Sequence, residues 1–324
     1  MLRTVLIALA AAAAAALARA ESPERVALLI GNGAYAHVPD LANPPRDTAD
    51  LAAVLDGLGF AVTRVGDADF RALRLALKAF EDRAAGAEVA LVYYAGHGIE
   101  IEGRNFMIPV DARLADARDV EFETVPLELF QRAADPARRM SLVILDACRN
   151  NPFLAQMAGR SRSVSRGLAL VEPVGSNRLV AYAAKEGAVA DDGEGENSPY
   201  AEALGAALQE PGLEIGKLFR RVRDRVYRAT GGRQEPALYG SLSERDFYFL
   251  PPEEGEAAVS VEAAFWKSIE DSEDPRDFED FLARFPESPF RGLAERRLAR
   301  LSAGSADETA APGTRDTAPE AGAP

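Results

Sequence analysis

One cysteine, two histidines and a single tryptophan occur in 324 residues. With Cys148 alone, an internal disulfide is excluded. The thiol is then either a small buried hydrophobe or a working group, and composition does not choose between them. Positive charge is also scarce, since the formal net charge is −14 and the pI is near 4.8. Nucleic acid and anionic membrane surfaces carry phosphate charge that such a surface repels, so neither is expected as a partner. A membrane-spanning run is missing too. The apolar stretch over residues 4–18 is mostly alanine and is shorter than the ~20 residues a bilayer span needs. It follows Arg3 and runs into Ala18-Arg19-Ala20, a small-x-small cleavage site. Residues 1–20 are therefore expected to be a removable signal peptide, and the mature chain to be exported, periplasmic or secreted.

What is present is a chain that can fold: 48% of its residues are hydrophobic, which rules out wholesale disorder. Over residues 21–252, short apolar runs alternate with helical patterns, the signature of an α/β domain with a mainly parallel sheet. Strands are expected at 26–30, 61–65, 89–94, 142–146, 179–183 and 246–250. Helical faces are expected through Leu51, Val54, Leu55 and Leu58, through Phe70, Leu73, Leu77 and Phe80, and through Tyr200, Ala203, Leu204, Ala207 and Leu208. Another carries Ile215, Leu218, Phe219, Val222 and Val226 inward and arginines outward, which reads as a solvated face. Residues 253–302 read as a linker and a small helical unit, with apolar faces at Val261, Phe265 and Ile269, at Phe278, Phe281, Leu282 and Phe285, and at Leu293, Ala294 and Leu298. A unit of this size buries little alone and is expected to dock on the main domain or on a protein partner. Residues 303–324 have nothing to bury and are expected to be disordered.

Two strands run into chemistry. The strand at 89–94 leads to Ala95-Gly96-His97-Gly98, and that at 142–146 leads to Ala147-Cys148-Arg149-Asn150. Groups just past the carboxyl ends of neighbouring parallel strands share a crevice, so the pattern sets His97 beside Cys148. A thiol of pKa about 8.5 is only a few per cent thiolate at neutral pH, and a nearby imidazole makes it reactive. Glycines flanking His97 let a substrate backbone approach. They leave the Gly98 amide as one oxyanion donor, with the Cys148 amide as the second. His97 precedes Cys148 by close to the ~50 residues that separate these groups in caspases.

The segments VALLIGNGAY, NPPRDTADLAAVL, YYAGHG and LDACRNNPF, in this order and spacing, resemble the bacterial caspase-like and metacaspase branch of cysteine peptidases. The resemblance covers roughly residues 25–250. It implies a caspase-like three-layer α/β sandwich around a six-stranded, mostly parallel sheet. It also implies an endopeptidase with a Cys148–His97 dyad and no required third member, acting on protein or peptide substrates. Asp146, two residues before the cysteine, and Asp47 in the first helix match carboxylates that line the substrate pocket in the metacaspase branch, which implies cleavage after arginine or lysine. A carboxylate pair in a partly dry pocket favours a guanidinium and rejects an aspartate. Asp47 also fits as a helix N-terminal acid stabilised by the dipole. Arg46 departs from the family pattern, in which asparagine usually precedes the acid, and sets a cation beside Asp47.

An enzyme with this preference has candidate self-cleavage sites at Arg160, Arg162 and Arg166, in a stretch that also reads as a plain surface loop. Asp191, Asp192, Glu194 and Glu196 form an acidic run near the Ser198-Pro199 helix start. Calcium activates some metacaspases, but the EF-hand spacing is absent, so no dedicated metal site and no required cofactor are expected. His37 reads as an ordinary loop residue. Gly31-Asn32-Gly33 with Ala36 matches a dinucleotide fingerprint. That reading needs a helix opening at the glycines, whereas Pro39, Pro44 and Pro45 keep the chain extended, so no nucleotide cofactor is expected. The competing function is a catalytically silent caspase-like scaffold that binds through its C-terminal helical unit.

Overall fold

The computed structural model describes residues 24–148, 168–169, 173, 175–185, 195–252 and 254–308. The boundary between two compact units falls between Leu250 and Pro251.

In the first unit, β1 (Arg25–Gly31), α1 (Pro44–Gly57), β2 (Ala61–Gly66) and α2 (Phe70–Ala84) lead to the long strand β3 (Val89–Ile101). There follow β4 (Arg104–Met107), the single turn α3 (Val120–Glu123), β5 (Val125–Pro126), α4 (Leu127–Ala134) and β6 (Met140–Cys148). The unit closes with β7 (Arg178–Tyr182), α5 (Pro199–Leu208), α6 (Ile215–Ala229) and β8 (Ala237–Ser241). The main sheet has the order β2-β1-β3-β6-β7-β8, parallel except for β8; β4 lies antiparallel on β3, and β5 on β4.

Strand alternation divides the core into two layers. Leu29, Leu91, Tyr93, Leu142 and Ile144 face α1, α5 and α6, while Leu28, Val92, Tyr94, Val143 and Leu145 face α2 and α4. Burial on both sides explains why β1 and β3 read as continuous apolar runs, and each fully buried aliphatic side chain stabilises by roughly 1.5–3 kcal/mol. The helices start at local signals. The Asp69 carboxylate accepts the Ala72 amide to cap α2, Pro44 and Pro45 open α1, and Ser198 caps α5.

Three elements differ from the sequence reading. The strand expected at 246–250 does not form: Phe247 and Phe249 are buried, but the segment pairs through a single bridge between Tyr248 and Glu214 rather than with the sheet. The sixth strand is β8 instead, whose short Ala-Leu-Tyr-Gly-Ser segment has too little alternation to announce itself. Second, β3 does not end at Tyr94. It runs on to Ile101 by exchanging its partner, β6 as far as His97 and β4 from Gly98. Third, the outer arginines of α6 are not simply solvated, because Arg221 and Arg225 both pair with Glu210.

The second unit comprises α7 (Glu254–Ile269), α8 (Pro275–Arg284) and α9 (Arg291–Glu308). Ile269, Phe278, Phe281 and Ala294 form its centre, and Trp266 stacks on Phe290 with centroids 5.9 Å apart. Val261, assigned inward by its spacing, is 60% exposed. The last helix continues past Ser302 to Glu308, where the alanines favour helix.

Candidate active site

The geometry begins with register. His97 and Cys148 are Cα partners, the last pair of the parallel β3–β6 ladder. His97 is 5% exposed. Its backbone N–H donates to Tyr35 Oη (2.8 Å), and its carbonyl accepts Tyr94 Oη (2.8 Å) and the Ile108 amide (3.0 Å). All these partners lie away from β6. Because bonded groups alternate along a ladder, the final rung toward Cys148 falls to the backbones of Gly96 and Gly98, whose amides face the seam between the two strands.

The imidazole is oriented from the loop after β1. Its Nε2 lies 3.2 Å from the Pro39 carbonyl, and its ring packs on Tyr35 with centroids 4.5 Å apart. A carbonyl only accepts, so Nε2 carries the hydrogen of this contact; in the neutral imidazole the lone pair is then on Nδ1. The G-x-G-x-x-A segment is thus a loop rather than the start of a helix, and α1 begins only at Pro44. Buried Asn32 fastens this loop by accepting the Ala68 amide (2.9 Å) and donating to Ile108 O (3.3 Å). Gly96 has a steric reason: a Cβ there would meet Tyr35 Oη at 2.7 Å and Tyr94 Oη at 2.8 Å.

Asp47 and Asp146 come together on the face of the sheet that carries Tyr93, 1% and 7% exposed. Ser198 joins them: its amide donates to Asp47 Oδ1 (3.0 Å) and its hydroxyl to Asp146 Oδ2 (2.6 Å). Tyr93 Oη donates to the same Asp146 oxygen at 2.9 Å. Burial, then the charges of Asp146 and Asp47, holds the Tyr93 phenol well above its usual range, and burial followed by Asp146 does the same for Tyr200. Next to this pair, Asn197 Nδ2 donates to Asp50 Oδ2 (2.7 Å). Arg46 turns outward and donates to Asn43 Oδ1 at 2.5 Å. The sequence departure at Arg46 is therefore directed at a neighbouring amide.

Tyr35, Tyr93 and Tyr94 fall inside the motif segments and Ser198 at a helix start, but neither they nor Pro39 carry a site role in the sequence reading. The Tyr93-Tyr94 dipeptide in a strand was the available signal, because alternation sends one hydroxyl to each face. Arg160, Arg162, Arg166, Asp191, Asp192 and Glu194 lie outside the described residues, as does the segment 1–20, while Glu196 is exposed.

A family profile described as Caspase domain matches residues 24–248. The match spans most of the chain, which belongs to the caspase family of cysteine peptidases. Mucosa-associated lymphoid tissue lymphoma translocation protein 1 of Homo sapiens is 40% identical over 89 residues, which is 28% of this chain and 11% of that protein. Its Mus musculus homolog is 39% identical over 89 residues. The chain thus spans about a tenth of the length of these curated relatives.

Proposed function

We propose that the chain is a cysteine endopeptidase that cleaves protein or peptide substrates after arginine or lysine, with Cys148 as nucleophile and His97 as its base. The observation that carries this reading is the pairing of His97 with Cys148 across adjacent strand ends, with Asp146 one strand alternation before the cysteine. With Nε2–H held by Pro39, His97 Nδ1 takes the thiol proton. The thiolate attacks the scissile carbonyl carbon, and the oxyanion that forms is met by the amides of Gly98 and Cys148. Both amides face the strand seam, so the last rung of the ladder opens as the substrate carbonyl enters. Collapse of the tetrahedral intermediate expels the amine, which takes the proton from His97 and leaves a thioester. Water, deprotonated by His97, hydrolyses the thioester and releases the carboxylate product.

Asp47 and Asp146 bind the basic side chain on the amino side of the cut. Two buried carboxylates recognise a guanidinium by charge-assisted hydrogen bonds and repel an acidic residue. In this reading no cofactor is required and calcium is dispensable. Arg160, Arg162 and Arg166 are sites of self-cleavage, residues 1–20 are removed on export, and the helical unit over 253–302 binds a protein partner.

The test is incubation of the mature protein with fluorogenic Arg, Lys and Asp peptides, with and without calcium, beside Cys148→Ala. Cleavage after Arg and Lys that vanishes in Cys148→Ala is expected. No cleavage of any peptide defeats the enzymatic reading, and cleavage after Asp alone defeats the pocket assignment. Mass spectrometry of the exported protein reports the start of the mature chain, and comparison with Cys148→Ala reports self-cleavage.

A further inference from the structure

The chain that leaves β6 at Cys148 comes back to the same strand ends at Leu168 and Ala169. Asn105 on β4 is 1% exposed and exchanges two hydrogen bonds with the Ala169 backbone. Its Nδ2 donates to Ala169 O and its Oδ1 accepts the Ala169 amide, both at 2.6 Å. This side-chain amide reproduces the two-way exchange of an antiparallel strand pair. Leu168, 2% exposed, is thereby pressed into the core beside Met107, Val125 and Ala147. Its Cδ2 lies 3.2 Å from the position a Cβ would take on Gly98, and the Ala147 Cβ lies 3.3 Å from that same position. Gly98 and Ala147 are the chain neighbours of His97 and Cys148.

We propose that Asn105 and Leu168 are positioning residues for the reaction. Leu168 is a wedge that sets the spacing of β3 and β6 at their last rung, and Asn105 is the clamp that seats it. The inference rests on the peptidase reading given above. Its physical basis is that Gly98 has no side chain to fill the space beside the seam, so an apolar group from elsewhere must fill it. Without that group, the Gly98 amide and the end of β6 gain room to shift. Misplacement of reacting groups by about 1 Å costs on the order of a hundredfold in rate. A polar clamp suits the purpose because its hydrogen bonds are directional: Asn105 fixes where Ala169 sits, and covalent connection then fixes Leu168.

The experiment compares Asn105→Ala, Leu168→Ala and the conservative Leu168→Ile with the full-length wild-type chain. It reads kcat and KM on a short Arg peptide, the melting temperature, and the rate of Cys148 alkylation by iodoacetamide. Positioning predicts a kcat reduced at least about tenfold with KM nearly unchanged in both alanine variants. Leu168→Ile is expected to retain most of the activity, and alkylation is expected to change while the assay temperature stays well below melting. Unchanged kcat, or activity lost only in proportion to the unfolded fraction, overturns the proposal. Should the wild type cleave no peptide, the peptidase reading fails by itself. The alkylation rate then decides the wedge, and identical rates in wild type and variants overturn it.

Discussion

Ser198 donates its hydroxyl to Asp146 at 2.6 Å while the same oxygen accepts the Ala201 amide at 2.9 Å. One atom therefore caps α5 and holds the buried carboxylate of Asp146. Ser198→Ala removes both functions and is expected to destabilise the domain by about 1–3 kcal/mol, a lost cap plus a buried acceptor short of one donor. It should also lower kcat/KM on Arg peptides. A urea midpoint equal to that of the wild type would contradict this.

Asp146→Asn keeps the shape of the side chain but loses its charge. A charge-assisted hydrogen bond contributes about 1.5–3 kcal/mol, so kcat/KM for Arg peptides should fall about ten- to hundredfold. Asp47→Asn should behave likewise, without creating cleavage after Asp. Steady-state kinetics on matched Arg and Asp peptides measure both effects.

Gly96→Ala puts a methyl group between two tyrosine hydroxyls, at 2.7 and 2.8 Å. The clash displaces the backbone just before His97, with an overpacking cost of about 1–3 kcal/mol. Adding Tyr35→Phe removes one of the two oxygens and should recover part of the loss. A double-mutant cycle on kcat and stability measures that coupling, and purely additive effects would show that the contact is not responsible.

Alkaline pH should weaken the domain. Tyr93, Tyr94 and Tyr200 are all held well above their ordinary value, chiefly by burial. The fold therefore favours the neutral phenol. The stabilisation is complete below pH about 10 and is lost as pH rises from there toward the raised folded-state values. Urea midpoints above pH about 10 should decline, and the decline should be shallower in Tyr93→Phe. Phenolate absorbance that appears only upon unfolding would accompany it.

Phe281 lies at the centre of the second unit, fully buried against Phe265, Trp266 and Phe285. Phe281→Ala should cost about 3–5 kcal/mol, which a core this small cannot absorb. Hydrogen exchange should show α7, α8 and α9 losing protection together. Protection retained in all three would refute that account of the unit.

Much of this was legible in the order of residues. The alternation of apolar runs located β1, β2, β6 and β7 because buried parallel strands leave a strong local signal, and the four motif segments located His97, Cys148, Asp47 and Asp146. What escaped notice was non-local. The continuation of β3 through His97 depends on β4 taking over as partner, and no local pattern announces a change of partner. Ser198-Pro199 was readable as a helix start, but the second use of its hydroxyl requires Asp146, which only the folded sheet brings near. Tyr35 and Pro39 are loop residues by composition, and their relation to His97 arises from the course of the loop after β1. The strand expected at 246–250 fails because alternating apolar residues also suit a segment that buries Phe247 and Phe249 without joining a sheet.

The partnership of β3 with β6 also governs when His97 and Cys148 can meet. Pairing these strands closes a long loop, a step of high entropic cost that local structure does not assist. A nascent chain can form α1, α2 or the β3–β4 hairpin and still have its thiol and imidazole far apart. On the peptidase reading proposed above, proteolytic competence arrives only with completed folding, and topology shields the cell that makes this chain during synthesis.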